Sequence, residues 1–308
     1  MNAKPDYSHL RGWTPISFSA EPEPGLVWAD LRAYRFDRPF FHRTLKQWRE
    51  DGHGQTERTG LDGLNALDSS PSLDPSLIIF HAARCGSTLL TRLMGAIEGT
   101  VALSEPSILG HVLDYSIGRP ADCTVQEILR QTIRALGRVR FGDERLFVLK
   151  LSSTLTRFLP LFRRVYPDVP MVWLQRRPDE IVESELRAPG AWLGAKGKSD
   201  REVQQLAVHQ HAVVFLAAKT HVDDNMLVLD YRDLPDAAWT KVAPFIGIAP
   251  SENDLLRMHD VVRYDAHSDK PFKARALSPL PNWVQTIVAQ TLDPLYEALD
   301  RRRSRPAA

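Results

Sequence analysis

Between residues 77 and 97 an apolar run, Leu77-Ile-Ile-Phe-His81, gives way to small and hydroxylated residues, Ala82-Ala-Arg-Cys-Gly-Ser-Thr88. Apolar positions at helical spacing follow, at Leu89, Leu90, Leu93, Met94 and Ile97. Four apolar residues in a row suit a strand buried on both faces, and the later spacing suits a helix packed against a sheet. A strand that turns into a helix through such a loop leaves backbone N–H groups exposed at the helix's positive end, where an oxyanion binds. This segment therefore predicts both a type of sheet and the place of an anion site.

The alternation continues along the chain. Residues 101–103, 146–149, 171–174 and 226–229 read as further strands, separated by helical patterns near 107–117, 124–138, 155–166, 178–187 and 201–221. Further helical patterns near 235–245, 251–259 and 282–300 close the chain. Strands alternating with helices predict an α/β domain over residues 75–302, with a central parallel β-sheet flanked by helices. Residues 1–74 differ, with Glu21-Pro-Glu-Pro24, a polar run over 49–60 and a Ser/Pro/Asp-rich stretch over 68–75. They read as an N-terminal extension, packed on the main domain and partly irregular, with a short helix only at 40–48. Arg301-Arg-Arg-Ser-Arg-Pro reads as a solvated end, and residues 303–308 as a tail.

Composition narrows the partners. A formal charge of +1 gives no whole-molecule field to gather nucleic acid or an anionic membrane, so any anion site is local. Two cysteines, Cys85 and Cys123, cannot build a disulfide framework or a zinc-finger pattern. The start, Met-Asn-Ala-Lys-Pro-Asp, lacks the basic and apolar segments of a secretory signal. The most apolar helical stretch, 206–218, contains His209 and His211 and is too short to cross a bilayer. These observations predict a cytoplasmic chain with no membrane span and no nucleic-acid partner, and they leave the oligomeric state unread.

Aligning the Walker pattern G-x-x-x-x-G-K-[ST] on Gly86 and Thr88 puts His81 at the first Gly and Ser87 at the Lys. The cation stands earlier, at Arg84. A loop without the Walker lysine is poorly suited to magnesium-dependent transfer of a terminal phosphoryl group, yet still cradles a phosphate beside a cation. That weighs against an ATP-dependent phosphotransferase. His81 and Cys85 are too isolated to make a metal site, and His209 and His211 point apart on a helix.

Ala83-Arg-Cys-Gly-Ser-Thr-Leu-Leu resembles the 5′-phosphosulfate-binding loop of sulfotransferases, which use 3′-phosphoadenosine 5′-phosphosulfate (PAPS). It looks most like the bacterial and tyrosylprotein-type branch, whose loop carries Arg where cytosolic small-molecule enzymes carry Lys. Three further matches fall in the family's order. Val172-Trp-Leu-Gln-Arg-Arg-Pro-Asp-Glu-Ile-Val-Glu-Ser resembles its 3′-phosphate strand and helix, with Arg176, Pro178 and Ser184 at the family's spacing and Arg177 where an acidic residue is usual. Leu229-Asp-Tyr-Arg-Asp-Leu-Pro, followed by Phe245-Ile-Gly-Ile, is similar to a strand ending in Tyr-Glu-x-Leu and a later Phe-Leu-Gly-Leu. Glu105, 21 residues beyond Arg84, stands where tyrosylprotein-type enzymes carry a proposed base. Lys150 ends a strand where the family often has a lysine near the transferred group. The Arg-Lys-Gly signature of the small-molecule enzymes is absent.

The resemblance implies a three-layer P-loop NTPase-like fold and transfer of a sulfonate from PAPS to a small-molecule or polymeric hydroxyl or amine acceptor. The product is adenosine 3′,5′-bisphosphate (PAP), and no metal is expected. It implies Arg84, Glu105 and Lys150 as catalytic residues, with Glu105 as the base and the two cations on the leaving phosphate. It implies a cofactor site of Arg84, Cys85, Gly86, Ser87, Thr88, Leu89, Arg176, Ser184 and Tyr231, covered by Lys273 and Arg275. Burial is expected to raise the pKa of Glu105, and nearby cations to oppose that. For Arg84 the competing reading is a structural ion pair, and for Cys85 a small loop filler. The Gly-rich stretch 188–199, with Trp192, reads as a substrate lid. A phosphotransferase and a non-catalytic PAP-binding protein are the rival functions.

Overall fold

A computed structural model describes residues 6–66, 71–117, 123–268, 270–273 and 276–303 of the chain. The chain opens with strands β1 (Thr14–Ser19) and β2 (Gly25–Ala29), helix α1 (Phe41–Glu50), strand β3 (Thr56–Gly60) and the short helix α2 (Asp62–Ala66). The α/β alternation follows as β4 (Leu77–His81), α3 (Ser87–Gly95), β5 (Thr100–Ser104), α4 (Ser107–Ser116), α5 (Cys123–Leu136), β6 (Leu146–Lys150) and α6 (Leu159–Val165). It continues through β7 (Met171–Gln175), α7 (Pro178–Arg187), α8 (Asp200–His221) and β8 (Met226–Asp230). Helices α9 (Ala243–Phe245), α10 (Glu252–Val262), α11 (Asn282–Thr291) and α12 (Asp293–Arg303) end it.

Strands β4 to β8 form one parallel sheet in the order β5-β6-β4-β7-β8. Side-chain alternation divides the interior in two. Ile78, Phe80, Met171 and Trp173 enter one apolar cluster, while Leu77, Ile79, Val172 and Leu174 enter the other. A sheet buried on both faces needs unbroken apolar strands, and β4 has all five residues buried. The first cluster takes in α4, α5, α6 and α8, and the second takes in α3 and α10, so helices cover both faces as the sequence pattern predicts. Helix α8 starts at a capping box in which Ser199 Oγ accepts from Glu202 N and the Glu202 carboxylate accepts from Ser199 N at 2.8 Å.

Two expectations need correction. The N-terminal segment is more regular than predicted, because β1, β2 and β3 make an antiparallel sheet. Ile16, Phe18, Leu26 and Trp28 bury themselves in the first cluster, and the Trp28 indole N–H donates to Thr59 Oγ1 at 2.9 Å. The basic end is also not wholly solvated. Arg302 donates to the Val222 carbonyl at 2.6 Å, and Arg303 pairs with Asp233 and Asp300, both at 2.9 Å. Residues 304–308 lie outside the described residues.

Candidate functional site

Parallel strands end on the same side of a sheet, and ligands of such folds collect outside their carboxyl ends. Here β4 lies between β6 and β7, and β5 lies beside β6, with Ser104 in register with Lys150 and Ile79 also opposite Lys150. That register brings the loop after β4, Glu105 after β5 and Lys150 at the end of β6 to one place. The Glu105 N–H donates to the Lys150 carbonyl at 2.8 Å, one further rung beyond the ladder.

Lys150 is the hub. Its side chain is 1% exposed, and its Nζ lies 2.7 Å from Glu105 Oε1 and donates to Thr88 Oγ1 at 3.2 Å. The ammonium also stands 4.7 Å from the centre of the Phe40 ring. Thr88 is the second residue of α3, so this cation sits beside the N–H groups of that helix's first turn. The Ser87 hydroxyl has no hydrogen-bond partner among the described residues, although Ser87 is buried. Burial pushes the Glu105 carboxyl up, but the charge and hydrogen bond of Lys150, with smaller contributions from the neighbouring histidines, outweigh it and hold the group below the usual carboxylate range. Lys150 thus wins the balance that the sequence left open, and the expected rise does not occur.

The backbone around this point is strained. Ala83, Arg84 and Glu105 have φ values of 22°, 50° and 52°, unusual for residues with a Cβ. Gly86 precedes α3 at φ 85°, and a Cβ there would stand 2.7 Å from Tyr231 Cδ2. Only glycine allows both that conformation and the approach of the Tyr231 ring.

Arg84 forms a partly buried ion pair. Its Nε donates to Glu185 Oε2 at 3.0 Å, and its Nη2 donates to the Ala188 carbonyl. Glu185 has no exposed side-chain surface, and its Oε1 accepts from Gly190 N at 2.6 Å. Nε and Nη2 therefore hold the end of α7 and the turn after it, while Nη1 has no hydrogen bond among the described residues. Lys150, and not Arg84, faces Glu105 and the helix start. Cys85 likewise points into the second core cluster and donates to the Leu174 carbonyl; burial pushes its thiol up to about 12, which suits a loop filler. Leu89 is half-buried against the same cluster.

Arg176, just past β7, stacks 4.3 Å over the Tyr231 ring, donates to Glu180 Oε2 at 2.6 Å and reaches the Arg84 carbonyl at 3.5 Å. Pro178 opens α7 as its spacing suggested. Ser184 is half-buried, its hydroxyl has no partner among the described residues, and no hydrogen bond joins it to Arg176. Arg177 is exposed and paired with Asp179 at 3.0 Å, which leaves Arg176 as the arginine that faces the loop. Lys273 is exposed, and Arg275 lies outside the described residues. In the stretch 188–199, Trp192 meets the buried His211 ring edge-on at 5.4 Å.

Five side chains near the hub were not anticipated. His81 ends β4, donates through Nε2 to the Leu151 carbonyl at 2.8 Å and stands 3.7 Å from Glu105 Oε1. Burial and Lys150 lower its pKa to about 4, so it is neutral near pH 7. From the N-terminal segment, Phe40 stacks between His42 at 5.4 Å and His267 at 5.5 Å, and Arg43 donates to the His267 carbonyl at 2.5 Å. His81 was legible as the last strand residue before the loop; nothing in residues 40–43 signals their place over Lys150.

No family model and no curated protein matches the sequence. Among solved structures, the chain is similar to a sulfotransferase from Alicyclobacillus acidocaldarius, with 16% identity, coverage of 76% of this chain and 97% of that one, and a TM-score of 0.45. It is also similar to the sulfotransferase STF9 from Mycobacterium avium, at 13% identity, 73% and 77% coverage and a TM-score of 0.44. A sulfotransferase domain from the curacin biosynthetic pathway gives 16%, 71% and 98%, with a TM-score of 0.40.

Proposed function

We propose that the chain is a PAPS-dependent sulfotransferase. The observation that carries this reading is Lys150, buried between the first turn of α3 and the Glu105 carboxylate. A cation in that position serves an anion seated on the helix N-terminus while a carboxylate waits on its other side. The Ser87 hydroxyl and the α3 N–H groups receive the 5′-phosphate. Arg176 and Ser184, at the next strand end and on the helix that follows, receive the 3′-phosphate, and Tyr231 packs against the nucleotide.

In the transfer, the acceptor oxygen or nitrogen forms a bond to sulfur as the bond from sulfur to the bridging phosphate oxygen breaks. The electron pair leaves with adenosine 3′,5′-bisphosphate, whose new charge Lys150 stabilises. The acceptor's proton passes to Glu105. Glu105 is ionised well below neutral pH, which gives the correct form of a base but a weak one. When the phosphosulfate draws Lys150 toward itself, the carboxylate loses part of its 2.7 Å partner and becomes more basic. Binding the donor thereby prepares the base. Arg84 acts through position, tying the loop to the turn after α7.

The test is release of adenosine 3′,5′-bisphosphate from PAPS across a panel of phenol, alcohol and amine acceptors. The reading expects acceptor-dependent release that falls by roughly 10²–10³ in Glu105→Gln and in Lys150→Met. Equal release by wild type and both variants, or none with any acceptor, contradicts it. Turnover of magnesium-ATP in place of PAPS would favour a phosphotransferase, which the absent Walker lysine opposes.

A further inference from the structure

A cavity of about 400 Å³ opens at the other end of β5 from Glu105. It lies among the C-terminal half of α3, the start of β5, residues 35–39, the turn at 140–144 and α10. Thr100, which lines it, and Glu105 are five residues apart, roughly 16 Å along a strand, so this space is separate from the Lys150 site.

Arg140 is its most unusual wall. No hydrogen bond or salt bridge engages its guanidinium among the described residues, and Nε and Nη1 are both fully buried. The face of the guanidinium is covered by Phe36, whose ring centre lies 3.7 Å away. Burial brings its pKa down to about 10, which leaves it charged at neutral pH. The nearby Glu144 offsets part of that burial through space but makes no hydrogen bond to the guanidinium, because its carboxylate accepts the backbone N–H groups of Arg140, Phe141 and Gly142. The Thr100 hydroxyl is a further buried group without a partner. Buried unsatisfied polar groups are rare, since each carries a desolvation cost, and the two residues that carry these line one cavity, where an acceptor drawn against them would relieve that cost.

The other four arginines of the wall have partners: Arg35 forks onto Asp143 at 2.9 and 3.2 Å, Arg257 reaches Asp254 and the Ala96 carbonyl, Arg38 donates to Gln47 Oε1 at 3.0 Å, and Arg92 donates to the Asp265 carbonyl at 3.1 Å. Among the described residues Arg140 is the wall arginine with no hydrogen bond to its guanidinium, and the five arginines of the wall face four carboxylates, those of Asp37, Glu98, Asp143 and Glu144. This balance favours a single negative charge and disfavours a dianion such as phosphate. Phe36 covers one face of the Arg140 guanidinium, and a planar carboxylate approaches such a group in its plane. Phe36, Ile97, Val101 and Val261 supply apolar surface beside it.

We propose that this cavity binds a small monocarboxylate with an apolar body, its carboxylate on Arg140 and the Thr100 hydroxyl. The probe is benzoate, with benzyl alcohol as the neutral analogue, followed by saturation-transfer NMR on the full chain in the presence of adenosine 3′,5′-bisphosphate. Wild type is expected to bind benzoate at least tenfold more tightly than benzyl alcohol. Arg140→Met is expected to lose at least tenfold in benzoate affinity, and Thr100→Val a few-fold. Because the unpaired cation is costly to bury, Arg140→Met should unfold at the same temperature as wild type or higher when benzoate is absent. No benzoate binding at about 10 mM, the mark of a cavity that holds water only, overturns the proposal. So does equal binding of the alcohol, an unchanged affinity in Arg140→Met, or a lowered Tm in that variant, which would mark Arg140 as a structural prop.

Discussion

Replacing Arg84 by Met isolates the pair that ties the anion loop to the end of α7. The substitution keeps an apolar stem and removes the donor 3.0 Å from Glu185 Oε2, leaving a carboxylate with no exposed side-chain surface. Breaking a buried ion pair from one side costs about 3–5 kcal/mol, because the surviving charge has lost its compensation. Glu185 Oε1 keeps the Gly190 N–H at 2.6 Å, and the Arg84 side chain is 27% exposed, so the lower end applies, about 3 kcal/mol. For a chain of this length that lowers Tm by about 5 °C. Glu185→Gln in the Arg84→Met background removes the stranded charge yet retains an oxygen for Gly190, and should recover about 2 kcal/mol. Thermal unfolding of wild type, both single variants and the double variant closes the cycle. If Arg84→Met unfolds with wild type, or the double variant is no more stable than Arg84→Met, then Arg84 does not act through Glu185 and its expected role at the transferred group returns.

Three further outcomes follow from the site and its surroundings. Gly86→Ala places a Cβ 2.7 Å from Tyr231 Cδ2 at φ 85°, and should cost about 1–3 kcal/mol and weaken nucleotide binding at least tenfold, read by thermal unfolding and calorimetry. His81 and His211 are buried, and burial lowers their pKa values to about 4 and about 3. The unfolded chain takes up those protons near pH 6.5 and the folded chain does not, so stability is complete above pH 6.5 and falls as pH drops toward 4. Tm measured across that interval should decline, and His211→Phe should flatten the decline; a parallel curve would show that His211 does not contribute. Phe40→Ala should open the space over Lys150 and raise the acceptor KM more than it changes nucleotide affinity, whereas an unchanged KM would remove residues 40–43 from the acceptor side.

The parallel sheet was legible because its strands are apolar throughout, a pattern that burial on both faces imposes on β4 and β7. Their spatial order was not, since it depends on which helix crosses which face. The N-terminal sheet escaped notice because β3, Thr-Glu-Arg-Thr-Gly, is polar and held by pairing with β2 and by the Trp28–Thr59 bond. At the site, Glu105 and Lys150 were readable as strand-end residues, and their meeting follows from the register of Ser104 with Lys150. Arg84 was readable as a loop cation but not by its partner, which lies 101 positions away. The aromatic cover from Phe40 and His267 also arises from tertiary packing alone.

The most direct test is calorimetric titration of the protein with adenosine 3′,5′-bisphosphate and with adenosine 5′-phosphate, without added metal. The account predicts that the bisphosphate binds at least tenfold more tightly, and that Arg176→Ala removes this preference while Lys150→Met weakens both ligands. Absence of bisphosphate binding, or a preference that survives Arg176→Ala together with Ser184→Ala, contradicts it.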